Sequence, residues 1–179
     1  MELYVVRHGQ TDFNAQGLAC GGQSNVPLND KGRQQARELG VLLSDVHLDA
    51  VLVSPLQRAQ QTAAIALEGR NVPVMTEVAL REHCFGIYEG AVLDHPQFSK
   101  LRWDFCYRLP EGESLADVVC RVYPFLADLP KRFGGKSVLL VCHGALARVI
   151  DSFYTSPTNE QFRGFSLANC QLLHYSVPE

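Results

Sequence analysis

The sequence predicts an α/β protein: a three-layer sandwich whose central sheet is mostly parallel, with helices on both faces. Three observations point there. Short apolar runs at 3–6, 50–53, 72–75, 137–142 and 171–175 alternate with segments whose apolar residues recur at helical spacing. Two of those runs end in Arg7-His8-Gly9 and Cys142-His143-Gly144, and open α/β sheets bind ligands beyond the carboxyl ends of their strands. Finally, 179 residues with 46% hydrophobic and 20% charged side chains suit one domain, 1–179, with a sizeable core.

Each element has its own signal. Residues 3–6 (Leu-Tyr-Val-Val) read as a buried strand, and 15–28 as a polar, glycine-containing loop. Asn29 or Asp30 can cap a helix to about 43, with Ala36, Leu39 and Leu43 on one face. The run 50–53 is a second strand, and Ser54-Pro55 begins a helix to about 67, with proline in the tolerated first turn. A third strand follows Gly69. Residues 91–113 lack periodicity but hold Lys100, Arg102, Trp103, Phe105, Tyr107 and Arg108, the make-up of a short cap folded over a site. Ser114 opens a long helix to about 133 with a stripe of Leu115, Val118, Val122, Leu126 and Leu129. Pro124 interrupts that stripe and predicts a kink or break. A strand at 137–142, a helix at 145–154 and a last strand at 171–175 complete the chain.

The bulk properties exclude several classes. A net charge of −3 offers no footprint for nucleic acid. No apolar stretch is long enough for a membrane span, and the N-terminus lacks the pattern of a signal peptide. Six cysteines without a C-x-x-C pair argue against a zinc ribbon or a redox motif. Cys120, Cys142 and Cys170 sit in apolar context and read as small core residues, which fits a reduced, cytoplasmic setting. Composition does not choose between a monomer and a homodimer.

The chemistry concentrates in four places. Arg7, His8, Gly9, Thr11 and Asn14 follow the first strand. Roughly one chain in a hundred of this length would carry R-H-G by chance, and the added Thr and Asn lower that by roughly a few hundredfold. After the second strand, Arg58 projects from the start of a helix, where free N–H groups and a guanidinium both suit phosphate. Glu82 lies in a glycine-flanked stretch, with Glu77 and Glu89 as rival carboxylates. His143 follows the fourth strand.

Together these segments resemble the histidine phosphatase superfamily, in its phosphoglycerate-mutase-like branch. The motifs are R-H-G-x-T-x-x-N at 7–14, P-L-x-x-x-G at 27–32, S-P-L-x-R-A-x-x-T at 54–62, and L-x-E with F-G-x-x-E-G at 80–90. P-E-G-E-S at 110–114, H-G at 143–144 and Asn169-Cys170 extend the match in family order. The resemblance implies a phosphomonoester hydrolase acting on a small phosphorylated metabolite, with no metal and no cofactor. It implies His8 as the nucleophile that becomes phosphorylated. Arg7, Arg58 and His143 become the phosphate cradle, Asn14 a further polar contact, and Glu82 the proton donor. Gln23 and Ser24 become candidate substrate contacts, although Asn25 stands where the family often has Asp.

The physics agrees with those roles. Phosphoryl transfer needs in-line positioning and charge neutralisation, and two arginines supply fixed forks for the oxygens. His8 attacks as neutral imidazole, which neighbouring cations favour. Its other nitrogen should be tied to backbone, which fixes the tautomer. Glu82 can protonate the leaving alkoxide and then activate water, so activity should peak at mildly acidic to neutral pH.

Other readings compete. Cys142 through Arg148 fits C-x5-R, the loop of cysteine-dependent phosphatases, with Cys142 as nucleophile and Arg148 on phosphate. That reading leaves the other motifs unexplained. His8, His143 and Glu82 could make a two-His, one-carboxylate metal site, but adjacent guanidiniums repel a cation. A silent phospho-ligand sensor is a third reading, set against the full complement of catalytic residues. Within the family, phosphoglycerate mutase activity is the alternative to hydrolysis. The short stretch between Gly90 and Ser114 leaves a more open site that favours water. Members of this compact kind include α-ribazole phosphatases and broad-specificity enzymes, and the leaving group itself is not encoded in a recognisable motif.

Overall fold

A computed structural model describes residues 1–178. Five strands form one sheet: β1 (Glu2–Arg7), β2 (Ala50–Val53), β3 (Val74–Thr76), β4 (Ser137–Cys142) and β5 (Leu172–Ser176). Their spatial order is β3-β2-β4-β1-β5. All neighbouring pairs are parallel except β1 with β5. The sheet is therefore mixed but mostly parallel, and its edge strand β5 runs the other way.

Side-chain alternation splits the core into two layers. Leu3 and Val5 of β1, Ala50 and Leu52 of β2, and Val138, Leu140 and Cys142 of β4 face one side. There they meet the long helix α5 (Leu115–Phe133) and α6 (Gly144–Thr155). Val6, Val51, Val53, Leu139 and Val141 face the other side, against α2 (Asp30–Leu42) and α3 (Gln57–Ala66). Short helices α1 (Asp12–Ala15), α4 (Phe98–Leu101) and α7 (Asn159–Gly164) lie in the connections. Among the described residues no helix is long and apolar enough to cross a membrane.

Several expectations need correction. The helix after β2 begins at Gln57, because Leu56 is its extended N-cap and Ser54 and Pro55 lie outside it. The third and last strands are shifted toward the C-terminus relative to the apolar runs. The loop expected at 15–28 is preceded by α1, where Thr11 and Asn14 form a reciprocal capping box. Helix α5 runs unbroken through both Pro124 and Pro130. Pro124 is exposed, so the carbonyl it leaves unpaired, that of Cys120, faces water on the outer side of the helix. Cys120 itself is exposed, not a core residue, because it shares that outer face. Cys142 and Cys170 are buried, as expected.

The cap at 91–113 is anchored by Phe98 and Leu109, which pack with Phe85, Tyr88 and Ala19 in a small separate cluster. Phe105 and Tyr107 remain exposed.

The sheet order has a direct consequence for chemistry. Strands β2, β4 and β1 are adjacent and parallel, so their carboxyl ends emerge side by side. They deliver Ser54, His143 and His8 to one place.

Candidate active site

His8 continues from β1 by donating its backbone N–H to the Cys142 carbonyl at 3.0 Å, so the first motif is fastened to the root of the second. Its ring is 2% exposed. Nδ1 lies 2.7 Å from its neighbour's carbonyl, that of Gly9, and donates to it. Nε2 therefore carries the free lone pair. This is the backbone tie expected from the sequence, and it fixes the tautomer.

The free nitrogen faces Arg58. Arg58 Nε donates to His8 Nε2 and to His143 Nδ1, both at 3.2 Å. The two rings are 5.1 Å apart. With Nδ1 accepting, His143 donates from Nε2 to Ser54 Oγ at 2.7 Å. Both imidazoles are thus acceptors toward one buried cation. Burial first, then the charges of Arg58 and Arg7, hold the titration of His8 well below its ordinary range. Burial and then Arg58 do the same for His143. Both rings are neutral.

Arg58 is itself fully buried. Its remaining donors go to the carbonyls of Ser24 at 2.5 Å, Gly21 at 3.0 Å and Cys20 at 3.2 Å. Arg7 donates Nη1 to the Leu167 carbonyl at 2.7 Å, while its Nε is buried without a partner. Gly144 leaves room for it: a Cβ there would sit 3.4 Å from Arg7 Nε.

A cavity of about 270 Å³ opens at this point. Arg7, His8, Asn14 and Glu82 line it, whereas Arg58 and His143 are not among its lining residues. Asn14 Oδ1 accepts from Thr11 N and from Asn169 Nδ2, which turns its own amide nitrogen away from those partners. Glu82 is the acidic residue of the lining. Its carboxylate accepts from His83 N, Ala145 N and Leu146 N at 2.9–3.1 Å, so the first turn of α6 fixes its position.

The rival carboxylates are spent elsewhere. Glu77 caps a 3-10 turn through Ala79 N and lies 3.8 Å from Arg132. Glu89 accepts from Gly21, Gln23 and Phe85 N–H groups and from the Ser24 hydroxyl.

The structure places Gln23 and Ser24 away from the cavity lining. Ser24 turns toward Glu89, and Gln23 bridges the Glu111 carbonyl and the Gly86 N–H. Both hold a loop together. The C-x5-R reading also separates in space. Cys142 points into the core beneath α5 and α6, and burial raises its thiol far above the ordinary range. Strand parity decides this, since Cys142 faces inward with Val138 and Leu140. Arg148 does reach the cavity.

Four residues quoted in the motifs or the cap carried no assigned role in the sequence. Asn169 Nδ2 donates to the His8 carbonyl at 2.8 Å. Thr62 Oγ1 accepts from Gly9 N at 3.0 Å. Trp103 and Arg102 of the cap line the cavity. Only their position late in recurrent motifs or within an aromatic, basic cap marked them in the sequence. Among the described residues, no three His, Cys, Asp or Glu side chains are grouped to hold a metal ion.

Comparison with known proteins places this arrangement. The family model described as histidine phosphatase superfamily (branch 1) matches residues 3–178. A Bacillus subtilis protein named uncharacterized phosphatase PhoE is 37% identical over 141 residues, 79% of this chain and 70% of its own length. An Enterobacter protein named probable phosphoglycerate mutase GpmB is 32% identical over 187 residues, covering 100% of this chain and 86% of that one. The crystal structure of an α-ribazole phosphatase from Shigella flexneri superposes with a TM-score of 0.88 at 30% identity, over 100% of this chain and 92% of that one.

Proposed function

The chain belongs to the histidine phosphatase superfamily, and from that membership we propose that it hydrolyses a small phosphorylated metabolite through a phosphohistidine at His8. The observation that carries the proposal is the unprotonated Nε2 of a buried His8 that lines the cavity and accepts from Arg58 Nε at 3.2 Å.

Nε2 attacks phosphorus, and the bond to the leaving oxygen breaks. The negative charge gathers on the phosphoryl oxygens, where Arg7 offers its partnerless Nε. Arg58 Nε already points at the atom that becomes bonded to phosphorus, so its N–H is set to turn to a phosphoryl oxygen. His143, held by Ser54, accepts from the same Arg58 N–H and so positions the guanidinium beside His8. Asn14 supplies an amide donor from the cavity wall. Glu82, which must take up a proton as the phosphoryl dianion enters beside it, passes that proton to the leaving alkoxide. In the second half it takes a proton from water, the hydroxide attacks phosphorus, the P–N bond breaks and inorganic phosphate leaves. Charge neutralisation comes from arginine, so the sequence of steps calls on no cofactor.

A rapid-quench experiment with a phosphomonoester labelled in phosphorus tests this. The expected product is an acid-labile, base-stable label on the peptide that carries His8. Turnover should drop at least roughly a thousandfold in His8→Ala. Retained turnover in His8→Ala, with loss in Cys142→Ser, would overturn the assignment. The relative named as a probable mutase supports a second reading, return of the phosphoryl group to product. A strong mutase rate with a bisphosphate primer would favour it over hydrolysis.

A further inference from the structure

The cavity holds two more guanidiniums that these steps do not use. Arg102, at the end of α4, and Arg148, in α6, both line it. Both lie against the ring of Trp103, with Cζ 4.8 Å and 3.8 Å from its centroid. Arg148 gives Nη2 to the Phe165 carbonyl, and its Nε and Nη1 are buried with no partner. Arg102 Nε is in the same condition. Among the described residues no carboxylate forms an ion pair with either, whereas Arg108, Arg121 and Arg132 each have one. Burial, then the charge of Arg102, brings Arg148 down to about 10.

Both side chains are half-buried, and a guanidinium partly withdrawn from water ordinarily brings a carboxylate with it. An aromatic face is a weaker substitute. The Trp103 wall therefore carries positive charge in excess of what the protein neutralises. Arg7 and Arg58 already serve the phosphoryl group, so this charge awaits something else. Building on the phosphatase reading above, we propose that Arg102 and Arg148 form a second anion subsite, and that the substrate is a small phosphomonoester whose leaving group carries a carboxylate or a second phosphate. The guanidinium fork takes either anion. A cavity of about 270 Å³ suits a leaving group of a few carbon atoms.

Matched ligands test this. Glycerol 3-phosphate and 3-phosphoglycerate differ by a hydroxymethyl group against a carboxylate. Propane-1,3-diol monophosphate and bisphosphate differ by the second phosphate. Trp103 is the only tryptophan of the chain, so its fluorescence reports occupancy of the wall directly. In the wild-type protein the doubly anionic member of at least one pair should bind and turn over at least tenfold better. Which pair responds identifies the anion. In Arg102→Met the preference should shrink toward one, mainly through KM. Arg148→Met should behave alike, and because Arg148 also anchors Phe165, the Arg102 variant decides if that protein misfolds.

Equal affinity and equal kcat/KM within both pairs would refute the subsite. So would an undiminished preference in Arg102→Met. Hydrolysis of p-nitrophenyl phosphate separates the two levels: its presence alongside an absent preference sinks only the subsite. If no phosphomonoester is turned over, the phosphatase reading falls, and the fluorescence titrations still decide whether the wall selects anions.

Discussion

Gly32→Ala is a substitution whose sign two principles dispute. Gly32 is the third residue of α2, where alanine ordinarily gains about 1 kcal/mol over glycine in helix propensity. Yet a Cβ at Gly32 would lie 2.0 Å from the Gln10 carbonyl oxygen and 2.7 Å from Gln10 N. That is more than an ångström inside van der Waals contact, and the obstacle is backbone, which cannot rotate aside. Gly9 is in the same seam, since its own Cβ would stand 2.5 Å from the Gly32 carbonyl oxygen. Overpacking of this kind costs roughly 3 kcal/mol at the upper end of its usual range. The net expectation is a loss of about 2 kcal/mol, or a Tm lower by roughly 4–8 °C for a chain of this size. Activity should fall further than stability suggests, because the displaced segment carries the Gly9 carbonyl that holds His8 Nδ1. Thermal denaturation followed by circular dichroism, with kcat/KM measured well below the transition, gives both readings. A Tm equal to or above that of the parent would refute the close-approach argument and leave helix propensity in charge.

Thr62→Val keeps the shape of the side chain but leaves the buried Gly9 N–H without its acceptor. Urea titration should show a loss of about 1–3 kcal/mol, and a change within experimental error would remove Thr62 from the scaffold of the site. The two buried histidines set a pH dependence of stability. Their folded-state pKa values lie well below the ordinary 6.5, so the unfolded chain binds more protons between those values. Stability is therefore complete above about pH 6.5 and declines on acidification, by up to about 1.4 kcal/mol per pH unit for each ring. A flat stability profile from pH 7 to roughly pH 5 would contradict neutral buried rings. Glu89→Gln swaps one acceptor oxygen for a donor against N–H and O–H groups that already point at it. A loss of about 2–4 kcal/mol is expected, and an unchanged melting temperature would show that this carboxylate does not hold the 20–24 loop.

The parts of the fold that were legible are those where local pattern and tertiary demand coincide. Strands β1, β2 and β4 are buried on both faces, so nearly every side chain is apolar and the run shows in the sequence. The stripe Leu115, Val118, Val122, Leu126, Leu129 marked α5 in the same way. Pro124 misled because local pattern cannot say which side of a helix meets water. The direction of β5 was hidden, since its run has the same composition either way. Around the site, His8 and His143 were visible because each follows a strand, and parallel adjacency then brings them together. Glu82 could not be separated from Glu77 and Glu89 by sequence, because what distinguishes them is which backbone N–H groups and which cavity they meet. Gln23 and Ser24 drew attention as polar loop residues, but their side-chain partners come from 86 to 111, far along the chain.

That loop explains how a fully buried arginine keeps its charge available. Peptide carbonyls of Cys20, Gly21 and Ser24 point at Arg58, and N–H groups of Gly21 and Gln23 point at Glu89. The Cys20–Gly21 peptide unit spans the two directly, with its carbonyl on the cation and its N–H on the carboxylate. A carboxylate in direct contact would have stabilised Arg58 more simply, but it would also have cancelled the field felt at His8 Nε2. Carbonyl dipoles solvate the guanidinium without bringing a full negative charge beside it. The cation therefore still acts on both imidazoles, adding to burial in holding their titration down. The same field that, with burial, keeps His8 unprotonated would attract a phosphoryl dianion, so one buried residue, supported by the carbonyls of its loop, serves both halves of the proposed chemistry.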